Sequence, residues 1–191
     1  PADILIHFPK AAQQTAYGIS ANRWSAPKSL MELAQIMDKN KNTRLVFSNT
    51  SYGVYKNEYL ETTHYADIRF IPELNTANRR EGNHLYVSAG ISYSNFIKLL
   101  SKSLEELQPN DDKTSTMGTS ALSALDYMAE RTAGRIVRNE ASLGGNTLLV
   151  LKHIHIGSGD PFPSDLFTTL FALNASITYF LLGIDHKFSE H

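Results

Sequence analysis

Two short segments carry the residue types from which a phosphate-binding cradle is built. One is Arg138-Asn139-Glu140-Ala141-Ser142-Leu143-Gly144-Gly145-Asn146, whose adjacent glycines lack a Cβ and let a backbone come within hydrogen-bonding distance of an anionic ligand. Ser142 and Asn146 bracket the pair with short polar side chains that reach phosphate or sugar oxygens. An ordinary tight turn also uses Gly-Gly, so the pair gains weight from a second segment far upstream, Leu45-Val46-Phe47-Ser48-Asn49-Thr50-Ser51-Tyr52-Gly53. Two loops of this kind point to a dinucleotide held from both sides. Neither contains a lysine suited to phosphate, so the expected contacts run through main-chain amides.

The remaining chemistry is largely excluded by composition. None of the seven histidines stands in a Ser/His/Asp arrangement, and the absence of cysteine removes thiol catalysis, disulfides and cysteine-ligated clusters from this chain. No catalytic acid or base is nominated. His153 and His155 are two apart and on a strand would share a face, but two histidines without a third ligand read as a surface loop, so no metal site is expected. With 18 basic and 19 acidic residues the net charge is -1, which gives no electrostatic reason for a nucleic-acid partner or an anionic membrane surface. No apolar run reaches about 18 residues, the length that spanning a bilayer as a helix requires. A soluble, cytoplasmic protein is the expectation.

The elements that must position the loops follow from periodicity. With 191 residues, 42% of them hydrophobic, the chain can bury a core in one domain or two small lobes. Residues 1–22 lack sustained periodicity and read as a linker or N-terminal arm, with Phe8-Pro9 a docking point. Arg23-Trp24-Ser25 is a short strand, and Leu30, Leu33, Ala34 and Met37 recur at helical spacing after Ser29. Leu45-Val46-Phe47 is a buried strand feeding the first loop, which makes a strand, helix, strand order. The runs 65–71 and 85–91 predict an antiparallel meander with its turn at 79–83. Ser92 and Ser94 offer N-caps to a helix ending before Pro109, 109–119 reads as a solvated loop, and Ser120 to Ala133 is helical with Gly134 as its stop. Thr147 to Leu151 reads as strand, Pro163-Ser164 begins a helix, and Ser176 to Leu182 is a final strand.

Set in order along the chain, these residues resemble one family. Arg23-Trp24-Ser25-Ala26-Pro27, Arg44-Leu45-Val46-Phe47-Ser48-Asn49-Thr50, Asp67-Ile68-Arg69-Phe70-Ile71-Pro72-Glu73-Leu74, Ile136 to Asn146 and Phe162-Pro163-Ser164-Asp165-Leu166 are similar to the FAD-binding domain of the molybdenum hydroxylases, the xanthine dehydrogenases and aldehyde oxidases. The agreement runs from Arg23 to Tyr179, and its wording sits closest to the aldehyde oxidase branch. The resemblance implies an α+β fold of two lobes, a small α/β lobe and a mixed-sheet lobe, with FAD between them. It implies that Leu45, Val46, Phe47, Ser48, Asn49, Thr50, Ser51, Tyr52 and Gly53 lie along the pyrophosphate. Ser142, Gly144, Gly145 and Asn146 then close over the same phosphates, Thr147 lies on the flavin side, and Asp165 accepts a hydrogen bond from a sugar hydroxyl of the cofactor.

The implied activity is electron transfer. In the family, electrons pass from a molybdenum cofactor through iron–sulfur clusters to FAD and on to oxygen or NAD. The clusters and the molybdenum belong to other domains of the same or partner chains, and the parent is expected to be a homodimer that this segment alone does not make active. Residues 23–191 then form the flavin domain, truncated before the family's C-terminal flavoprotein subdomain. Three departures from the pattern support an alternative, a flavin-free relative kept as a structural or interaction subunit: Ser48 replaces a glycine, the 152–160 loop is long, and the chain stops at His191. A further departure is Thr132, which stands where some relatives have an adenine-stacking aromatic. Ser48 is tolerable there only if its φ stays negative.

Overall fold

The computed structural model describes residues 23–51, 62–107, 113–156, 162–178, 180–182 and 188–190. The expected arm with Phe8-Pro9, the loop residues Tyr52 and Gly53, and 157–160 of the long loop lie outside them.

The expected strand, helix, strand unit opens the described chain. Strand β1 (Arg23–Ser25) leads into helix α1 (Leu30–Lys39), where Ser29 Oγ accepts from the Glu32 amide and the Glu32 carboxylate accepts from the Lys28 amide. These bonds satisfy donors that a helix start leaves open. Leu33 and Ala34 bury the inner face, and the chain returns in β2 (Thr43–Val46). Strand β3 (His64–Asp67) then inserts between the two, giving a three-stranded sheet of order β1-β3-β2 that is parallel throughout. The predicted meander is therefore corrected. β3 is a central strand with His64, Ala66 and Asp67 buried, as parallel strands are. The chain leaves it for a 3-10 turn at Pro72–Leu74, pinned by Asn75 Nδ2 donating to the carbonyls of Arg69 and Ile71. Ala66, Ile68, Ile71 and Leu33 form the core of this small lobe.

A second, larger core follows. Strands β4 (Arg79–Glu81) and β5 (His84–Tyr86) form an antiparallel hairpin, turned by Gly82 at φ 56°. Helix α2 (Tyr93–Glu106) starts on Ser92, whose Oγ accepts from the Asn95 amide, while Ser94 ties α2 to the residues after α3 by donating to Asn139 Oδ1. Helix α3 (Lys113–Arg131) packs along α2 through Leu122, Leu125, Met128 and Ala129, so the predicted loop at 109–119 is helical from Lys113 onward. The stop is not Gly134, which caps α4 (Arg135–Glu140). Ala133 takes the left-handed conformation, at φ 50°. The Arg138 guanidinium braces this corner by donating to the carbonyls of Glu130 at the end of α3 and of Thr132 and Ala133 just beyond it.

Helix α5 (Leu143–Ile156) replaces the strand predicted at 147–151. Short apolar runs such as Leu148-Leu149-Val150-Leu151 are ambiguous in sequence, and here Leu143 and Val150 are buried while Leu148 and Leu151 face out. The premise that His153 and His155 share a strand face falls with it. His153 Nδ1 lies 2.8 Å from the Leu149 carbonyl within the helix. Helix α6 (Asp165–Ala172) starts on Ser164, and β6 (Phe180–Leu182) pairs antiparallel with β7 (Phe188–Glu190), a shorter strand than the one expected from Ser176. The class is α+β, and beyond the small lobe the described strands form two separate antiparallel ladders, β4–β5 and β6–β7.

Candidate functional site

The first loop hangs from the end of β2, where Leu45 packs on the small core and Val46 is buried. Phe47 packs against the same small core, with its ring next to Gly90. Ser48 holds a negative φ, and the left-handed position falls one residue later, on Asn49 at φ 57°. Asparagine is among the few non-glycine residues that tolerate this region, which answers how serine can stand where the family has glycine. The Ser48 hydroxyl donates to the Glu140 carbonyl at 2.5 Å and so fastens the first loop to the second. Among the described residues the amides of Asn49, Thr50 and Ser51 donate to no protein group. Three successive open amides at a left-handed bend form an anion cradle of the nest kind.

The second loop is built differently. Ser142 pairs with Ser92 in an isolated antiparallel bridge, flanked by the Leu143 amide on the Ile91 carbonyl and the Tyr93 amide on the Ala141 carbonyl. The Gly144 amide donates to the Ala89 carbonyl at 2.8 Å, the Gly145 amide to Ser142 Oγ, and the Asn146 amide to the Ser142 carbonyl. All the amides from Leu143 to Asn146 are thus taken by protein acceptors, and the glycine pair lies in the first turn of α5. The two glycines differ as well. A Cβ on Gly144 would lie 2.7 Å from Ala89 Cβ and 2.8 Å from the Ala89 carbonyl oxygen, whereas one on Gly145 would meet only Ser142 Oγ, at 3.0 Å. Gly144 serves close packing, and Gly145 is the one that faces open space.

Residues 88–91 stand between the two loops. The Gly90 amide donates to the Leu74 carbonyl at 2.7 Å, and a Cβ at Gly90 would strike Asn75 Oδ1, the Leu74 carbonyl and the Phe47 ring. Ser88 is held by Asn78, whose Oδ1 accepts from both its amide and its hydroxyl. The third segment arrives through Asn146, whose Oδ1 accepts from the Ser164 hydroxyl at the cap of α6. Asparagine's remaining amide hydrogens stay available. Thr147 donates to the Leu143 carbonyl from within α5, and Asp165 is exposed on the first turn of α6. Thr132 donates to the Met128 carbonyl.

The structure therefore brings together the described residues of both loops and the start of α6. Sequence reasoning passed over Gly90 and Tyr93. An Ala-Gly pair two residues before the N-cap serine Ser92 was the available signal for a close approach at 89–90.

Two charged groups set the local electrostatics. Burial works to raise the Asp67 carboxyl, but the Arg69 guanidinium, hydrogen-bonded to both its oxygens, more than offsets this and holds it below its usual range. Asp67 lies opposite Val46 in the β2–β3 register, so this clamp sits beside the root of the first loop. Tyr93 is pushed up to about 12 by burial and then by the charge of Asp165. Among the described residues no group of three or more His, Asp or Glu side chains could hold a metal, and no helix is long and apolar enough to cross a membrane.

Residues 17–180 match the family model described as the FAD binding domain in molybdopterin dehydrogenase. The chain belongs to that family. Its relatives include the abscisic-aldehyde oxidase of Arabidopsis thaliana, 29% identical over 96% of this chain and 13% of that protein. The indole-3-acetaldehyde oxidase of the same plant is 31% identical over 81% of this chain and 10% of that protein. The chain thus spans a small part of the aldehyde oxidases it is similar to, and they are the branch its motifs resemble. The cyanide-inactivated form of Cu,Mo-CO dehydrogenase aligns with a TM-score of 0.50 at 18% identity, covering 68% of this chain and 40% of that one, which speaks for the fold.

The residues present fit the family's FAD. The open amides of 49–51 suit a diphosphate, and the exposed carboxylate of Asp165 suits a sugar hydroxyl.

Proposed function

We propose that this chain is the FAD-binding electron-transfer module of an aldehyde oxidase-like molybdenum hydroxylase, receiving electrons from iron–sulfur clusters and delivering them to oxygen or NAD. The observation that carries the reading is the row of open amides at Asn49, Thr50 and Ser51 beneath a left-handed asparagine, within a family defined by FAD binding. FAD, when bound, supplies the redox chemistry, and the protein supplies binding, orientation and electrostatics. In this reading the first loop holds the pyrophosphate through its backbone. The second loop contributes the Asn146 amide group and the space above Gly145, and Asp165 accepts from a sugar hydroxyl. The iron–sulfur and molybdenum domains belong to the rest of the protein or to its partners, the assembly is a cytoplasmic homodimer, and the segment is inactive by itself. Substrate choice lies with the molybdenum domain.

One observation favours a second reading, a flavin-free relative retained as a structural subunit. The amides from Leu143 to Asn146 are satisfied within the protein, so half of the expected cradle is closed to phosphate. The absorbance spectrum of the purified protein, taken before and after release by denaturant, separates the two. A flavin spectrum supports the electron-transfer module, and a colourless folded protein supports the scaffold.

A further inference from the structure

An anion cradle needs its amides unspent, and amides left unspent cannot hold the loop that carries them in shape. The first loop meets this difficulty with one side chain. At its root the Val46 carbonyl accepts from the Ile68 amide, and beyond that the Ser48 hydroxyl donates to the Glu140 carbonyl at 2.5 Å, across 92 positions of sequence. Among the described residues no other hydrogen bond joins 48–51 to the protein. The residue that makes this bond directly precedes the left-handed Asn49 and the open amides of 49–51.

The acceptor is as informative as the donor. Glu140 closes α4, and its carbonyl is one of those that a helix end leaves open. Among the described residues no main-chain amide donates to it, since those of Leu143 and Gly144 go to Ile91 and Ala89. Left bare, this carbonyl oxygen would turn negative partial charge toward the loop. The Ser48 hydroxyl covers it. A serine hydroxyl has a single hydrogen, so while it serves Glu140 it is not a phosphate donor. The element it grips is itself held, by the Ser94 hydroxyl on Asn139 Oδ1 and by Arg138 on the carbonyls of Glu130, Thr132 and Ala133.

We propose that Ser48 is the positioning residue of the phosphate cradle: its bond to Glu140 holds the loop, before any ligand arrives, in the bent form that leaves the amides of 49–51 open to a diphosphate. This rests on the reading of the chain as a flavin-binding module. A loop ordered in advance loses less freedom when the ligand binds. Glycine, which the family resemblance puts at this position, has no hydroxyl and a wider choice of backbone conformations. With glycine the ordering falls to the ligand, and with Ser48 the protein has already done it.

The test compares Ser48→Ala, Ser48→Gly and Ser48→Thr in the full chain, the last keeping the hydroxyl at a negative φ that a β-branched residue accepts. In flavin-free protein, nitrogen-15 relaxation is expected to show lower order parameters at the amides of 49–51 in the alanine and glycine variants, and unchanged ones in Ser48→Thr. In FAD titrations followed by flavin fluorescence, Ser48→Ala is expected to bind roughly threefold to tenfold more weakly, the range of one net hydrogen bond. Ser48→Gly is expected to lose at least as much, and Ser48→Thr to stay within about twofold of the parent. Order parameters that do not change in Ser48→Ala, affinity that does not fall, or a loss that threonine fails to restore each overturn the proposal while leaving the functional reading intact. Failure of the unsubstituted chain to bind FAD overturns both.

Discussion

The two loops of the candidate site use the same small residues to opposite ends. In 49–51 the backbone bends through a left-handed asparagine and, among the described residues, its amides meet no protein acceptor, whereas in 143–146 the amides are all taken by Ile91, Ala89 and Ser142. A glycine pair is the stronger motif on paper, and it is the loop without a described glycine that keeps its donors open. Small residues permit close approach, but what approaches is decided by the neighbours. At Gly144 the neighbour is the chain's own Ala89.

The largest effect is expected at Gly90, against which the Phe47 ring and the 3-10 turn at Pro72–Leu74 pack. Gly90→Val drives a side chain into the Leu74 carbonyl and Asn75, groups that cannot yield cheaply, and should destabilise the protein by about 2–4 kcal/mol in urea unfolding. A loss below about 1 kcal/mol would show that the lobes are not held at this point.

Next come the two glycines, which the comparison says should separate. Gly144→Ala should cost about 1–3 kcal/mol through its clash with Ala89. Gly145→Ala should stay near neutral, since helix propensity offsets a single tight contact with Ser142 Oγ. Gly145→Val should fold and lose flavin affinity, so equal flavin content in that variant and the parent breaks the assignment of Gly145 to the ligand side.

The left-handed asparagine gives a smaller effect. Asn49→Gly should leave stability within about 0.5 kcal/mol, while Asn49→Val should cost roughly 1–2 kcal/mol and weaken FAD binding, because a β-branched residue resists φ 57°. Hydrogen exchange checks the same contrast directly. The amides of 49–51 should exchange rapidly and gain protection on adding FAD, while those of 143–146 should be protected throughout. The reverse order would exchange the roles of the loops.

The smallest effect is acid sensitivity. Asp67 has a lowered folded-state pKa, so the stability it contributes is present above its ordinary value of 3.8 and is lost as pH falls through the lower folded value. Exchange at the root of the first loop should therefore rise in that window more than exchange at 143–146, and Asp67→Asn should flatten the difference.

How much of this was legible in the sequence depended on how local the cause was. The caps at Ser29, Ser92 and Ser164 and the β1-α1-β2 order were readable, because a serine before an apolar helical period acts within one turn of chain. The central place of β3 was not, since both strands it pairs with, β1 and β2, lie well before it in the chain. Nor was the left-handed Ala133, which depends on three carbonyls collected by Arg138. The site segments were identifiable by residue type, but which amides remain open was not. That follows from residues 88–91, which lie over fifty positions from the glycine pair of the second loop in sequence and against it in space.

The contact of Ala89 with Gly144 also has a consequence for how this family can vary. The two positions share one volume, with room for a single methyl group between them. A larger residue at 89 is tolerable only with glycine at 144, and a side chain at 144 only with glycine at 89 and some retreat of its carbonyl. Drift at these positions is therefore compensatory, and among relatives their sizes should vary inversely even where neither residue touches a ligand.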